Sequence, residues 1–151
     1  MHIETQYSIF MVNKPGVLAK VLNEFAEVKL NIIALTMMDT VEHGVMRVVA
    51  SPSKKVAAVL EKLNMPHSTV DVLCVTLPNT SGAMAGVTKK LAEAHINISY
   101  AYCTAGARGG RTSCILKVSD MKKAMKVLKG TSTTKATKSK AKVRRSPAAR
   151  R

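Results

Sequence analysis

The stretch N-K-P-G-V-L-A-K-V-L-N-E-F-A-E-V-K-L-N-I runs from Asn13 to Ile32, and N-T-S-G-A-M-A-G-V-T-K-K-L-A-E-A-H-I-N-I runs from Asn79 to Ile98. They align without a gap, sixty-six positions apart. Identical pairs are Asn13/Asn79, Gly16/Gly82, Ala19/Ala85, Val21/Val87, Ala26/Ala92, Glu27/Glu93, Asn31/Asn97 and Ile32/Ile98. Two unrelated amphipathic helices share small and apolar positions by chance. Asn and Gly in register at both ends have no such origin, so the chain reads as an internal repeat.

Outward from this segment, strands and helices alternate. Gln6–Val12 and Asn31–Met38 are strand-like runs, Asp39–Gly44 is a polar turn, and Val45–Ala50 is a third strand. Between the first two, Val17, Leu18, Val21, Leu22, Phe25 and Val28 recur at helical spacing, for a helix ending near Lys29. Ser53 is placed to cap a helix lined by Val56, Val59, Leu60 and Leu63, which Asn64-Met65-Pro66 ends. The order then repeats. A long strand, Thr69–Pro78, precedes a helix whose inner face is Met84, Val87, Thr88, Leu91 and Ala92. A hairpin of Asn97–Cys103 and Thr112–Val118 surrounds the loop A-G-A-R-G-G, and Ser119 is placed to cap a last helix.

Each half is strand–helix–strand–strand–helix, the pattern of a ferredoxin-like α+β unit with helices on one face of an antiparallel sheet. One such half has a thin core, and pairing two of them, edge to edge or back to back, hides open strand edges. The expected division is 1–66 for the first unit, 67–129 for the second and 130–151 for a disordered basic tail. That tail has no acid, no aromatic residue and no apolar period.

The charge of +15 divides unevenly: residues 1–129 carry 16 Lys and Arg against 9 acids, and the last 22 residues carry 8 cations. The tail cations Lys135, Lys138, Lys140, Lys142, Arg144, Arg145, Arg150 and Arg151 suit salt-sensitive contact with nucleic acid. A solvated appendage, or contact with an acidic protein, explains them equally simply. Aromatics at 3% and the absence of Trp argue against base or sugar stacking as the main activity. No apolar run approaches a membrane span and the N-terminus lacks the pattern of a secretion signal, so a cytoplasmic location is expected. Cys74, Cys103 and Cys114 read as reduced thiols, with Cys103 and Cys114 flanking the hairpin loop as an alternative redox pair.

The turn Asn13–Gly16 carries the functional expectation. Pro15 presets φ for a first helical turn, and Gly16 lets another group approach the backbone. The unpaired amides and positive dipole end beyond it suit a carboxylate or phosphate. Asn13 and Asn31 add side chains that donate and accept. A plain structural turn is the competing reading, with Asn31 simply terminating the helix in a left-handed conformation.

These residues resemble the signature of the ACT domain family, in which a Pro-Gly turn opens the first helix and Asn-Ile opens the second strand. The second copy, with its N-I-S-Y-A-Y strand, is similar to tandem ACT proteins of bacteria, and the resemblance spans Gln6 to about Lys129. It implies a pair of ACT units packed as a pseudo-dimer and a regulatory role through a small molecule, usually an amino acid, bound between units. Carried over by position, the ligand-binding residues are Asn13, Lys14, Pro15, Gly16, Val17, Leu18, Asn31 and Ile32. In the second unit they are Asn79, Thr80, Ser81, Gly82, Ala83, Met84, Asn97 and Ile98. Asn13 stands where Asp is common and Ser81 where Pro is expected, which leaves the ligand's identity and the second loop's role open.

No catalytic group is expected, nor a cofactor or metal. His2, His43, His67 and His95 have no partner at triad or metal-ligand spacing. A-G-A-R-G-G lacks the Gly-Lys-Ser/Thr of a phosphate loop and leads into a strand, although Arg108 and Arg111 could decorate a rim. The nine methionines fit flexible core packing. The expected partners are an amino acid, a second copy in a homodimer, a separate enzyme of amino-acid metabolism, or nucleic acid through the tail.

Overall fold

In the computed structural model, which describes residues 1–39, 43–106 and 110–129, the elements follow the expected order. They are β1 (His2–Val12), α1 (Val17–Glu27), β2 (Asn31–Asp39), β3 (His43–Ser51), α2 (Ser53–Lys62), β4 (His67–Pro78), α3 (Ala83–Glu93), β5 (Ile98–Ala105), β6 (Arg111–Val118) and α4 (Met121–Lys129). The tail 130–151 and Arg108 lie outside the described residues.

The two halves meet edge to edge. All six strands form one sheet in the order β2-β3-β1-β4-β6-β5. Its centre is the antiparallel pairing of β1 with β4, from His2 opposite Cys74 to Ile9 opposite His67. Strands β2-β3-β1 make up the first half's own sheet, and β4 completes it to the four-stranded ferredoxin-like set. By the same token β1 completes β5-β6-β4. Each half therefore lends its first strand to the other. The repeat extends to a β-bulge, one residue inserted after Ile32 in β2 and after Ile98 in β5.

Alternation along the strands sends one set of side chains to the helices. Tyr7, Ile9, Met11, Met46, Val48 and Ala50 pack with Val21 and Phe25 of α1 and Val56, Val59 and Leu60 of α2. Leu73, Val75, Leu116 and Val118 pack with Val87, Leu91 and Ala124 of α3 and α4. The opposite face buries Ala34, Val49, Val72, Cys74 and Ile115, with none of the four described helices packed on it. Sheet curvature does this work. A flat sheet would hold β3 and β5 four strand spacings apart, roughly 19 Å. Instead the Arg47 guanidinium of β3 lies 3.9 Å from the ring centroid of Tyr100 in β5.

A buried polar group fixes that roll. Gln6 is fully buried. Its amide donates to the Tyr100 hydroxyl at 2.8 Å, and its oxygen accepts from the Tyr102 hydroxyl at 3.1 Å. A buried amide left without partners costs about 1–3 kcal/mol, so these bonds hold β5 over the centre of the sheet. Burial also pushes the Tyr102 hydroxyl's pKa well up, with the neighbouring Tyr100 adding to it and Arg47 opposing.

The helix ends correct three expectations. Ser53 is the first residue of α2, with Pro52 at the cap position; its hydroxyl lies 3.1 Å from the Tyr7 hydroxyl instead. At α4 the capping bond comes from Asp120, whose Oδ1 accepts from the Lys123 amide at 2.8 Å, while the Ser119 hydroxyl accepts from the Asn97 amide. The left-handed residue ending α1 is Lys29 (φ 55), not Asn31, which opens β2. The same C-terminal turn recurs at Asn64 and His95. In each, the following amide reaches back to the last helical turn, as in Leu30 N–H to Phe25 O and Ile96 N–H to Leu91 O, both 2.9 Å.

Because the halves share β1 and β4, they should unfold together. Phe25→Ala in the first core and Leu91→Ala in the second should each cost about 3–4 kcal/mol. Urea denaturation followed by far-UV circular dichroism should show one transition moved to lower urea in both variants. Hydrogen exchange should show lost protection in the unmutated half as well.

Candidate functional site

Gly16 and Gly82 are the residues before α1 and α3, with φ of +88° and +82°. Both are left-handed, and nothing lies within 4 Å of where a Cβ would project. Glycine at the cap position offers no side-chain bond to either helix, and the Val17 and Ala83 amides donate to Lys14 O and Thr80 O, both at 3.3 Å. The remaining first-turn amides lie at the positive dipole end of each helix, towards the space before it.

The two loops differ in their surroundings. Beside the second, a cavity of about 770 Å³ opens between α3, α4 and the ends of β4 and β6. Thr80, Ser81, Gly82 and Ala83 form its rim, Val75, Leu77, Val87 and Leu128 its apolar wall, and Lys90 and Arg111 its cations. Met1, the residue before β1, lies on one side, so both halves of the chain contribute. Among the described residues, no Asp or Glu lines it. Hydroxyls, cations and a helix N-terminus around an apolar floor suit a small molecule with a carboxylate.

The expected residues are distributed as follows. Thr80, Ser81, Gly82 and Ala83 come together at the cavity. Met84 turns away and packs against the second core. Asn79 anchors the loop: its amide donates to Gly110 O at 2.8 Å and its side chain to Gly106 O at 3.0 Å. Asn97 and Ile98 follow the far end of α3, whose 11 residues span roughly 16 Å. A small ligand at Gly82 therefore does not reach them. Asn31 likewise opens β2 opposite Ser51, beyond the end of α1 that lies away from Gly16. The expected pairing of glycine and asparagine within one unit is therefore not formed.

In the first half, Lys14, Pro15, Gly16, Val17 and Leu18 form the equivalent turn with Asn13, where Lys14 N–H donates to Val12 O at 2.9 Å. Val17 and Leu18 pack against the first core, and Ile32 is 38% exposed on β2. A separate hollow of about 480 Å³ lies elsewhere, between the end of α1 and the face of α2, lined by Val28, Lys29, Lys55, Val59 and Lys62. Sequence reasoning missed Lys90 and Met1 at the main cavity and named Arg111 only as a rim residue of the hairpin loop. Lys90 follows Gly82 by two helical turns and was within reach of a helical wheel. Arg111 opens one strand and Met1 precedes another, and only the tertiary pairing reveals the neighbours of those strands.

Among the described residues, no group of three or more His, Cys, Asp and Glu could hold a metal ion, and no helix is long and apolar enough to cross a membrane.

Comparison with known proteins returns a family model described as an ACT domain pair, matching residues 1–138. The chain is similar to the crystal structure of protein BT0572 from Bacteroides thetaiotaomicron, with 29% identity, a TM-score of 0.78, and 85% of this chain and 88% of that one covered. It also resembles the ligand-free regulatory subunit of aspartate kinase from Thermus thermophilus, at 14% identity and TM-score 0.64, with 86% and 97% covered. At that identity the likeness is one of fold. No curated protein matches the sequence significantly.

Two glycines of the site separate backbone cost from space. Gly82→Ala should lose about 1–2 kcal/mol, because a side chain disfavours the left-handed conformation even where nothing obstructs it. Gly86, inside α3 with open space around it, should gain up to about 1 kcal/mol on replacement by Ala. Denaturant midpoints of the two variants should move in opposite directions.

Proposed function

Because this chain belongs to the ACT domain pair family, we propose that it is a non-catalytic regulatory module that senses a small carboxylate ligand, an amino acid, in the cavity before α3. The observation that carries this reading is the conjunction of a helix N-terminus opened by glycine with Lys90 and Arg111 in a cavity that, among the described residues, no carboxylate lines. The ligand's carboxylate sits at the Gly82–Ala83 turn and its ammonium group meets the hydroxyls of Thr80 and Ser81. The apolar wall takes its side chain. With Met1 on one side and the β4–α3 loop on the other, the ligand touches both halves, and its binding energy is then available to bias their arrangement.

The module acts on something outside itself. A second copy is one candidate, since edge strand β2 exposes Ile32, Met37 and Met38, with Phe10 and Val12 exposed on β1. Light scattering after size exclusion should give a dimer mass, with Met38→Lys shifting it towards monomer. A separate enzyme is the other candidate for the regulated partner. The basic tail's part, whether nucleic-acid contact or solvation, is independent of the cavity, and the location of the module is proposed to be the cytoplasm.

A thermal-shift survey of the twenty amino acids on the full chain should find a small set that raises Tm. Arg111→Gln together with Lys90→Gln should abolish that rise while leaving the unliganded Tm within a few degrees. A flat response to all twenty would remove the amino-acid reading.

A further inference from the structure

Cys103 and Cys114 stand directly opposite each other in the β5–β6 pairing. Cys103 is exposed, Cys114 is buried, and both are free thiols. Burial first, and hydrogen bonding between the two side chains second, push the Cys114 thiol up to about 12. The internal repeat supplies a comparison. At the equivalent positions of the first half, Met37 opposes Met46, one exposed and one buried in the same way. The fold therefore accepts long side chains at this place, and neither burial nor volume requires two thiols.

We propose that Cys103 and Cys114 are a thiol–disulfide modification site, forming a reversible cross-strand disulfide by exchange with a low-molecular-weight disulfide. Cys103, the accessible thiol, reacts first as its thiolate: the oxidant's S–S bond breaks, one thiolate leaves, and a mixed disulfide forms on Cys103. The Cys114 thiolate then attacks Cys103 Sγ, the mixed S–S bond breaks, and the second thiolate leaves. Both cysteine sulfurs are oxidised, the oxidant is reduced to two thiols, and the two protons pass to the departing thiolates. Opposite residues in an antiparallel pair hold their Cβ atoms about 4.5–5.5 Å apart, somewhat beyond the ~3.8 Å typical of a relaxed disulfide. Such a bond is easily reduced again, which suits a switch more than a staple.

The third thiol is a poor competitor. Cys74 is buried on the opposite face of the sheet, among Ala34, Val49, Val72 and Ile115, and its thiol is pushed up by burial first and by Glu4 second. Closing the hairpin also has a local target, because Gly106 and Gly110 at its tip hold Asn79 at the cavity rim. The bond itself does not depend on any ligand.

The test treats the reduced full chain with oxidised glutathione and reads intact mass and a peptide map. The expected product has lost two hydrogens, carries no glutathione, links residue 103 to residue 114, and reverts with dithiothreitol. Its closing step should accelerate about tenfold per pH unit between pH 7 and 9, since the attacking thiolate is Cys114. C114S should stop at a glutathione adduct on Cys103, and C74S should close as the parent does. A stable adduct on Cys103 of the parent chain, a linkage involving Cys74, or no reaction would each overturn the proposal.

Discussion

The pairing of β1 with β4 is the constraint on which the rest of the structure depends. Each half owns three strands and two helices, and taken alone each three-stranded sheet leaves its first strand as an edge of unpaired amides and carbonyls. Placing the first strand of one half beside the first strand of the other satisfies both edges at once. It also makes each strand serve as the fourth of its neighbour, so that a sheet of six does the work of two sheets of four. The direction is settled as well. Antiparallel pairing of two like strands produces an approximate two-fold, and the glycine turns after β1 and β4 must point to opposite ends of the sheet.

That two-fold is imperfect where function is concerned. Under the first glycine turn, the strand positions are filled by Met11, Met37 and Met46, and Gly44 leaves room that the Met37 and Met11 side chains occupy, 3.5 and 3.9 Å from its notional Cβ. The corresponding second-half residues are Leu77, Cys103, Cys114 and Thr112. The two cysteines are smaller than the methionines they match, Thr112 is larger than Gly44, and of these second-half positions only Leu77 lines the large cavity. Thr112, whose buried hydroxyl has no partner among the described residues, belongs to the second half.

Much of this was legible in the sequence because it rests on period and on repeat. Alternation and helical spacing gave the elements, and the Asn–Gly register gave the duplication and the position of the two turns. Strand partners were not legible, since a period of two says which face a side chain takes and not which strand lies alongside. For that reason Gln6 read as one polar residue in a strand, although it is the buried anchor for Tyr100 and Tyr102. The caps failed for a related reason: Ser53 and Ser119 were near enough to a helix start to cap it, but each found a tertiary partner, Tyr7 in one case and the Asn97 amide in the other. Arg111 and Met1 entered the site through the same unseen strand order.

The shared sheet is open to direct measurement by nuclear magnetic resonance on isotopically labelled protein. Cross-strand contacts and hydrogen-bond couplings should connect Glu4 with Val72, Gln6 with Val70 and Ser8 with Ser68, and the amides of β1 and β4 should exchange as slowly as any in the molecule. Contacts confined to β1–β3 and β4–β6, with β1 and β4 exchanging as exposed edges, would show two separate three-stranded sheets and contradict the account.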